Sequence, residues 1–177
     1  MKKKLAFLIV ATATIGTIIA VKKRNKTLFH IKSYDGRFYM SFSKHWKLSN
    51  KKNELNENSN LEAINSKNGI CLIMFSKSKE ELNNISLNEY NDDILHSIEE
   101  NILNTNKIKI NNRELYIIEF NSYYNNTLIH YILYTLSTEN YYHQVMVAFI
   151  NNKFHNIKNN KYFKEINNIL STLKEIN

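Results

Sequence analysis

Read for the spacing of its apolar positions, the chain falls into distinct regimes. Residues 5–21, LAFLIVATATIGTIIAV, are continuously apolar or small and carry no charge. From residue 36 onward the apolar residues come in short, strand-like runs. Arg37 to Phe42 and Leu61 to Asn65 are two of them, and Gly69 to Ser76 is apolar without alternation, as a strand covered on both faces would be. Lys51 to Asn60, between them, is polar and reads as a loop. The period then changes: Leu87, Tyr90, Ile94, Ile98 and Ile102 recur at helical spacing, and Ser86 followed by Glu89 makes a capping box. The pattern predicts a helix over Ser86 to Leu103.

Four further strands are predicted at Lys107 to Ile110, Glu114 to Ser122, Thr127 to Ser137 and Tyr141 to Ile150. The breaks between them, Asn111-Asn112, Tyr124-Asn125-Asn126 and Thr138-Glu139-Asn140, are short enough for hairpins, so the arrangement is an antiparallel meander. Tyr162 to Ile176 closes the chain as an amphipathic helix with Phe163, Ile166, Ile169, Leu170 and Leu173 on one stripe. An antiparallel sheet needs its apolar face covered, and two flanking helices do that. The expected fold class is α+β: one antiparallel sheet of six or seven strands flanked by two helices, in a single domain over 36–177, preceded by one N-terminal transmembrane helix.

That N-terminal segment bears on location. Seventeen residues at about 1.5 Å each reach roughly 25 Å, short of a bilayer core of about 30 Å. Lys2, Lys3 and Lys4 before an apolar stretch are the charge arrangement of a secretory signal or signal-anchor. Residues 18–20 make a weak cleavage site, and a cut after Ala13 leaves too short an apolar core. Lys22, Lys23, Arg24 and Lys26 follow at once, as a stop does, and no cysteine near the segment's end is available to carry a lipid. The reading is a basic terminus over 1–4, a retained single-span anchor over 5–21 and a basic juxtamembrane linker over 22–35, with a cleaved signal peptide as the alternative. Positive charge flanks both ends and gives little asymmetry. The signal-anchor habit of keeping a short basic terminus inside places the C-terminal domain outside the cytoplasm; a domain tethered to the inner face is the alternative.

The formal charge of +8 and pI of about 9.4 would by themselves suggest nucleic acid. Residues 1–30, however, hold seven of the 24 basic residues and no acid, leaving seventeen basic against sixteen acidic side chains, a balance of +1. Charges of both signs are interspersed through that remainder, so no clustered patch displaces counterions and no nucleic-acid partner is expected. The basic flank suits lipid headgroups, at about 1 kcal/mol per charge on an anionic leaflet.

Proline is absent, glycine occurs three times, and about one residue in six is Asn. Codons for Asn, Lys and Ile are AT-rich, so this bias points to an AT-rich genome and puts Asn where Gly or Pro usually marks a turn. The single cysteine, Cys71, excludes an internal disulfide and lies in an apolar run, where a thiol is buried and inert.

Candidate chemistry is sparse. Trp46, beside His45 at a strand end, is a candidate pocket residue for ligand stacking and equally a lid on the core. Asp92, His96, Glu99 and Glu100 share a helical stripe, but one helix supplies too few metal ligands in good geometry, and a solvated face accounts for them. His30, His130, His143 and His155 show no HExxH motif, and neither a nucleophile elbow nor a glycine-rich phosphate loop is present. No catalytic, cofactor-binding or metal-binding set is expected. Tyrosine is the most suggestive feature: Tyr123, Tyr124, Tyr131, Tyr134, Tyr141 and Tyr142 lie within twenty residues, across adjacent predicted strands. Tyr123, Tyr124, Tyr131, Tyr141 and Tyr142 form a candidate protein-binding patch, since Tyr combines contact area with a polar tip. Ordinary sheet packing is the alternative.

The order of elements resembles the PsbP/Mog1-like fold. The resemblance is carried by FYMSFSKHW from Phe38 to Trp46, INNRELY from Ile110 to Tyr116, YYHQVMV from Tyr141 to Val147 and ILSTLK from Ile169 to Lys174, and covers about residues 36–174. Ser43 stands where that fold has proline, and Asn112 where glycine is usual. The fold occurs in photosystem II extrinsic subunits, in a Ran-binding nuclear import factor and in many bacterial envelope proteins and lipoproteins, and no catalytic set defines it. The resemblance implies a binding or accessory module without chemistry of its own and does not name its partner; an envelope protein is the candidate partner. An exported enzyme acting on an envelope substrate and a membrane-tethered cytoplasmic adaptor are the alternatives.

Overall fold

In the computed structural model the residues described are 28–49, 52, 54–98, 101–149 and 161–176. The apolar segment 5–21 lies outside them, as do Glu99, Glu100 and His155. No helix among the described residues is long and apolar enough to cross a membrane.

In chain order the elements are β1 (Phe29–Lys32), β2 (Phe38–Phe42), β3 (Lys47–Leu48), β4 (Leu61–Asn65), β5 (Ile70–Ser78), α1 (Leu87–Ser97), β6 (Asn101–Ile110), β7 (Arg113–Tyr124), β8 (Thr127–Ser137), β9 (Tyr141–Phe149), α2 (Lys161–Ser171) and β10 (Lys174–Glu175). They form an α+β fold with two antiparallel sheets, a large one ordered β3-β4-β5-β9-β8-β7-β6 and a small one ordered β1-β2-β10.

The pleat of the central strands separates two cores. Along β5, Ile70, Leu72 and Met74 join one cluster, while Cys71, Ile73 and Phe75 join the other. The first core fills the space between the large sheet and a layer made of the small sheet and α2, with Phe38, Met40, Phe42, Ile166, Ile169, Leu170 and Leu173. The second lies under α1, with Tyr90, Ile94, Leu82 and Leu55. This double coverage is why Gly69 to Ser76 reads as continuously apolar.

Four expectations change. The closing helix expected to reach Ile176 ends at Ser171, and Lys174–Glu175 beyond it is a strand paired with β2. The single sheet becomes two, because β1 and the two-residue β10 add to β2 and fold over the large sheet. Phe29–Lys32, inside the stretch read as linker, is a strand of the fold: Ile31 is buried and pairs with Met40. The helix expected to reach Leu103 ends at Ser97, Ile98 is already extended, and the chain runs on as β6. The apolar steps from Ile94 to Ile98 to Ile102 are four residues each, which fits one helical turn and two strand repeats alike. The Asn- and Thr-rich run after residue 100 is a poor helix former, and Ile102 pairs with Phe120 instead.

Two of the hairpin turns use no glycine. Asn111 and Asn112 (φ +49° and +63°) and Asn125 and Asn126 (φ +45° and +61°) are the two-residue loops of the β6–β7 and β7–β8 hairpins. Positive φ at both positions is the turn geometry that matches strand twist, and Asn tolerates it better than other side chains. The capping box at α1 is complete: the Ser86 hydroxyl accepts from the Glu89 N–H at 3.1 Å and the Glu89 carboxylate from the Ser86 N–H at 2.7 Å.

Candidate functional site

The tyrosines separate by strand alternation and by position along the sheet. Tyr131 and Tyr142 are buried in the second core and Tyr134 in the first. Tyr142 stacks on Tyr90 with ring centroids 4.7 Å apart and donates its hydroxyl proton to the Ile85 carbonyl. Tyr141 is half-buried against Phe38, and Tyr124 is half-buried against the second core. Tyr123 alone of the five candidate patch residues is exposed, at 74%. It stands on the part of β7 that runs beyond the first residue of β6, where Asn101 pairs with Asn121.

Trp46 is 1% exposed and packs on Phe42 with centroids 5.5 Å apart. Its indole N–H donates to Glu165 Oε1 on α2 at 2.9 Å, and the Ser43 hydroxyl donates to the same oxygen at 2.7 Å. Trp46 is therefore a lid on the first core. On α1, His96 Nδ1 lies 2.7 Å from the Asp92 carbonyl, and the Asp92 carboxylate accepts from Asn88 at 3.0 Å, both local helix contacts.

Polar groups concentrate at the end of the large sheet that carries the β6–β7 and β8–β9 turns. His143 is fully buried there, with Nδ1 2.8 Å from Ser76 Oγ and Nε2 2.8 Å from Thr138 Oγ1. Burial pushes its pKa down to about 3. A hydroxyl beside an imidazole is the start of a nucleophile and base pair, but a base works when its pKa lies near ambient pH, and this ring is too weakly basic and too enclosed. Glu175 receives the N–H of Asn140 at 2.9 Å and its amide at 2.9 Å, fastening β10 to the β8–β9 turn. Burial would raise the Glu175 carboxyl, but the Thr138 hydroxyl and the Asn140 donors outweigh it and hold it below its ordinary value. Nearby, Arg37 bonds Asp35 through Nε at 2.8 Å and Nη2 at 2.7 Å and reaches Tyr141 Oη at 3.1 Å. Burial opposes ionisation of Asp35, yet hydrogen bonds from Ser33 and Arg37 prevail and lower its pKa to about 2.

Beside this network lies an open depression of about 480 Å³, lined by Leu87, Asn111, Asn112, Arg113, Glu114 and Ser137 together with Thr138 and Glu139. Neither Trp46, His130 nor His143 lines it. Sequence spacing gave no sign of it, because it joins two turns and the first turn of α1. Arg113 leans away from it, with Nη1 donating to the Leu173 carbonyl at 3.1 Å, and burial lowers its pKa.

The large sheet between α1 and the layer of α2 with the small sheet is similar in architecture to the solution structure of cyanobacterial PsbP (CyanoP) from Synechocystis sp. PCC 6803. The TM-score is 0.51 at 7% identity, covering 89% of this chain and 98% of that one. The fold is PsbP-like. A crystal structure from Bacteroides thetaiotaomicron VPI-5482 is also similar, with a TM-score of 0.55 at 14% identity over 84% of this chain; the match covers 48% of that longer protein. No family model matches the sequence, and no curated protein does. At these identities the likeness is one of fold alone.

Proposed function

We propose that the protein is a membrane-anchored, extracytoplasmic binding or accessory module without chemistry of its own, whose partner is another envelope protein. The PsbP-like fold carries this reading, since the PsbP/Mog1-like architecture serves accessory and binding roles and has no common catalytic set. The internal use of the reactive groups supports it: Cys71 is 4% exposed with its thiol pushed up to about 12 by burial, and His143 is enclosed by its own hydrogen bonds. The tip of the β7–β8 hairpin is the contact surface we assign, because Tyr123 offers a large exposed ring there at low entropic cost. Residues 5–21 supply the anchor and the basic run after them the contact with lipid headgroups.

Protease shaving of intact cells, followed by mass determination of the membrane-bound protein, tests the location. Removal of the domain from outside, with a mass that includes residues 1–21, supports an anchored extracytoplasmic module. A protected domain would move it to the inner face, and a mass lacking that segment would make it a released protein. A photo-crosslinking residue at Tyr123 should capture an envelope protein that the same residue at exposed Lys109 does not; equal capture at both would refute the assigned surface.

A further inference from the structure

The β4–β5 turn carries the chain's one Asn-Gly pair, Asn68-Gly69. The Asn68 N–H donates to the Asn65 carbonyl at 3.1 Å, and Gly69 at φ +64° returns the chain to the ladder at Ile70, which pairs with Asn65. Asn68 and Gly69 are half-buried, and Ser66 and Lys67 before them are exposed. The Asn68 Oδ1 accepts from Tyr162 Oη on α2 at 3.0 Å. Among the described residues neither the Asn68 Nδ2 nor the Gly69 N–H makes a hydrogen bond.

An Asn followed by Gly can react with its own backbone, because no Cβ on the next residue shields the attacking nitrogen. The Gly69 nitrogen closes on Asn68 Cγ and forms an N–Cγ bond as it loses its proton. The Cγ–Nδ2 bond breaks, and ammonia leaves with that proton. Water then opens the cyclic imide. Opening at Cγ gives aspartate, while opening at the backbone carbonyl gives isoaspartate, in which the main chain runs through the former side chain. No electrons are transferred, and water is the co-reactant.

We propose that Asn68 is a site of spontaneous deamidation, and that its conversion to isoaspartate releases the β4–β5 turn from α2. The fold guards the comparable pair and leaves this one open. Asp35-Gly36, with Gly36 at φ +74°, could close the same imide with loss of water. Its carboxylate, however, accepts from Ser33 Oγ at 2.6 Å, from the Arg37 N–H at 3.1 Å, from Arg37 Nε and Nη2 at 2.8 and 2.7 Å, and from Asn60 Nδ2 at 3.2 Å. An ionised carboxylate held by so many donors is a poor electrophile. Asn104-Thr105 and Asn121-Ser122 lie in paired strands, where the ladder fixes the backbone. At Asn68 the Tyr162 hydroxyl draws density from Cγ, and the nitrogen that must leave is unheld. Aspartate keeps an acceptor for Tyr162, whereas isoaspartate lengthens the main chain and moves the carboxylate. This site is separate from the Tyr123 tip and does not depend on the proposed protein partner.

The test holds the purified full-length chain in mildly alkaline buffer and follows it by peptide mass mapping. The peptide containing Asn68 should exchange an amide for an acid and split into aspartate and isoaspartate isomers. Its rate should be no less than about a tenth of that in a free peptide of residues 66–70, a barrier raised by at most about 1.4 kcal/mol. Asp35-Gly36 and the Asn111-Asn112 turn should stay unchanged over the same period. Asn68→Gln, whose longer side chain closes the ring far more slowly, should abolish the change. Freshly made Asn68→Asp should melt with the parent, while the isoaspartate form, separated by chromatography, should melt lower. An Asn68 that stays intact while the free peptide converts, or conversion spread evenly over other Asn residues, would overturn the site. An isoaspartate form as stable as the parent would overturn its hold on α2. Neither result bears on the shaving experiment.

Discussion

The indole N–H of Trp46 meets the carboxylate of Glu165 at 2.9 Å across 119 positions of sequence, tying the β2–β3 connection to α2. With Trp46 1% exposed, its N–H cannot turn to water if that acceptor is lost. Glu165→Ala should therefore cost about 1–3 kcal/mol, and Glu165→Gln, which keeps a carbonyl acceptor, well under that. Urea unfolding followed by the fluorescence of this sole tryptophan measures both. Equal stabilities for Glu165→Ala and the parent chain would show the bond to be dispensable.

His143 predicts an acid-sensitive fold. Its pKa is lowered from 6.5 to about 3 by burial, so the unfolded chain takes up a proton that the folded one refuses. Stability from this group is intact above about pH 6.5 and falls as pH drops toward 3, at about 1.4 kcal/mol per pH unit. His143→Gln, which can still bond Ser76 and Thr138, should flatten the pH dependence of the urea midpoint across that window. An unchanged slope would mean that the acid sensitivity lies in the carboxylates instead.

The Asn111-Asn112 turn makes a prediction of opposite signs. Asn112 sits at φ +63°, so Asn112→Gly should raise stability by about 0.5 kcal/mol, while Asn112→Val should lower it by about 1–2 kcal/mol. Thermal melts of the two variants give the comparison. A valine variant as stable as the glycine one would show that the turn does not need a left-handed residue.

Tyr123 and Tyr142 should part company. Tyr142→Ser removes a ring stacked on Tyr90 and should cost about 3 kcal/mol or more. Tyr123→Ser, at a side chain 74% exposed, should stay within about 0.5 kcal/mol. Differential scanning calorimetry separates the cases, and a melting loss at Tyr123 as large as at Tyr142 would remove the argument for an interface tip.

Much of the fold was legible because two periods carry it. The strand-like run from Arg37 to Phe42, the unbroken apolar run after Gly69 and the Asn pairs at the hairpins each correspond to an element of the structure. Local chemistry sufficed where the interaction is local, as in the capping box of Ser86 and Glu89. It failed where a spacing serves two structures, as from Ile94 to Ile102, and where a strand is only two to four residues long, as at β1, β3 and β10. Strands that short hold their shape through a neighbour rather than through their own pattern.

The candidate site was less legible still. Six tyrosines close in sequence suggested one patch, but alternation sends Tyr131 and Tyr134 to opposite faces, and position along β7 decides that Tyr123 meets solvent. By itself the sequence determined the α+β class, the hairpin order and the near balance of charge beyond residue 30, because these follow from periodicity, turn conformation and composition along the chain. Only the tertiary structure decided that the small sheet closes the first core, that His143 is enclosed, and that Tyr123 alone of the five candidate patch tyrosines is exposed. Burial and hydrogen-bond satisfaction depend on which distant segments meet, and no local spacing encodes that.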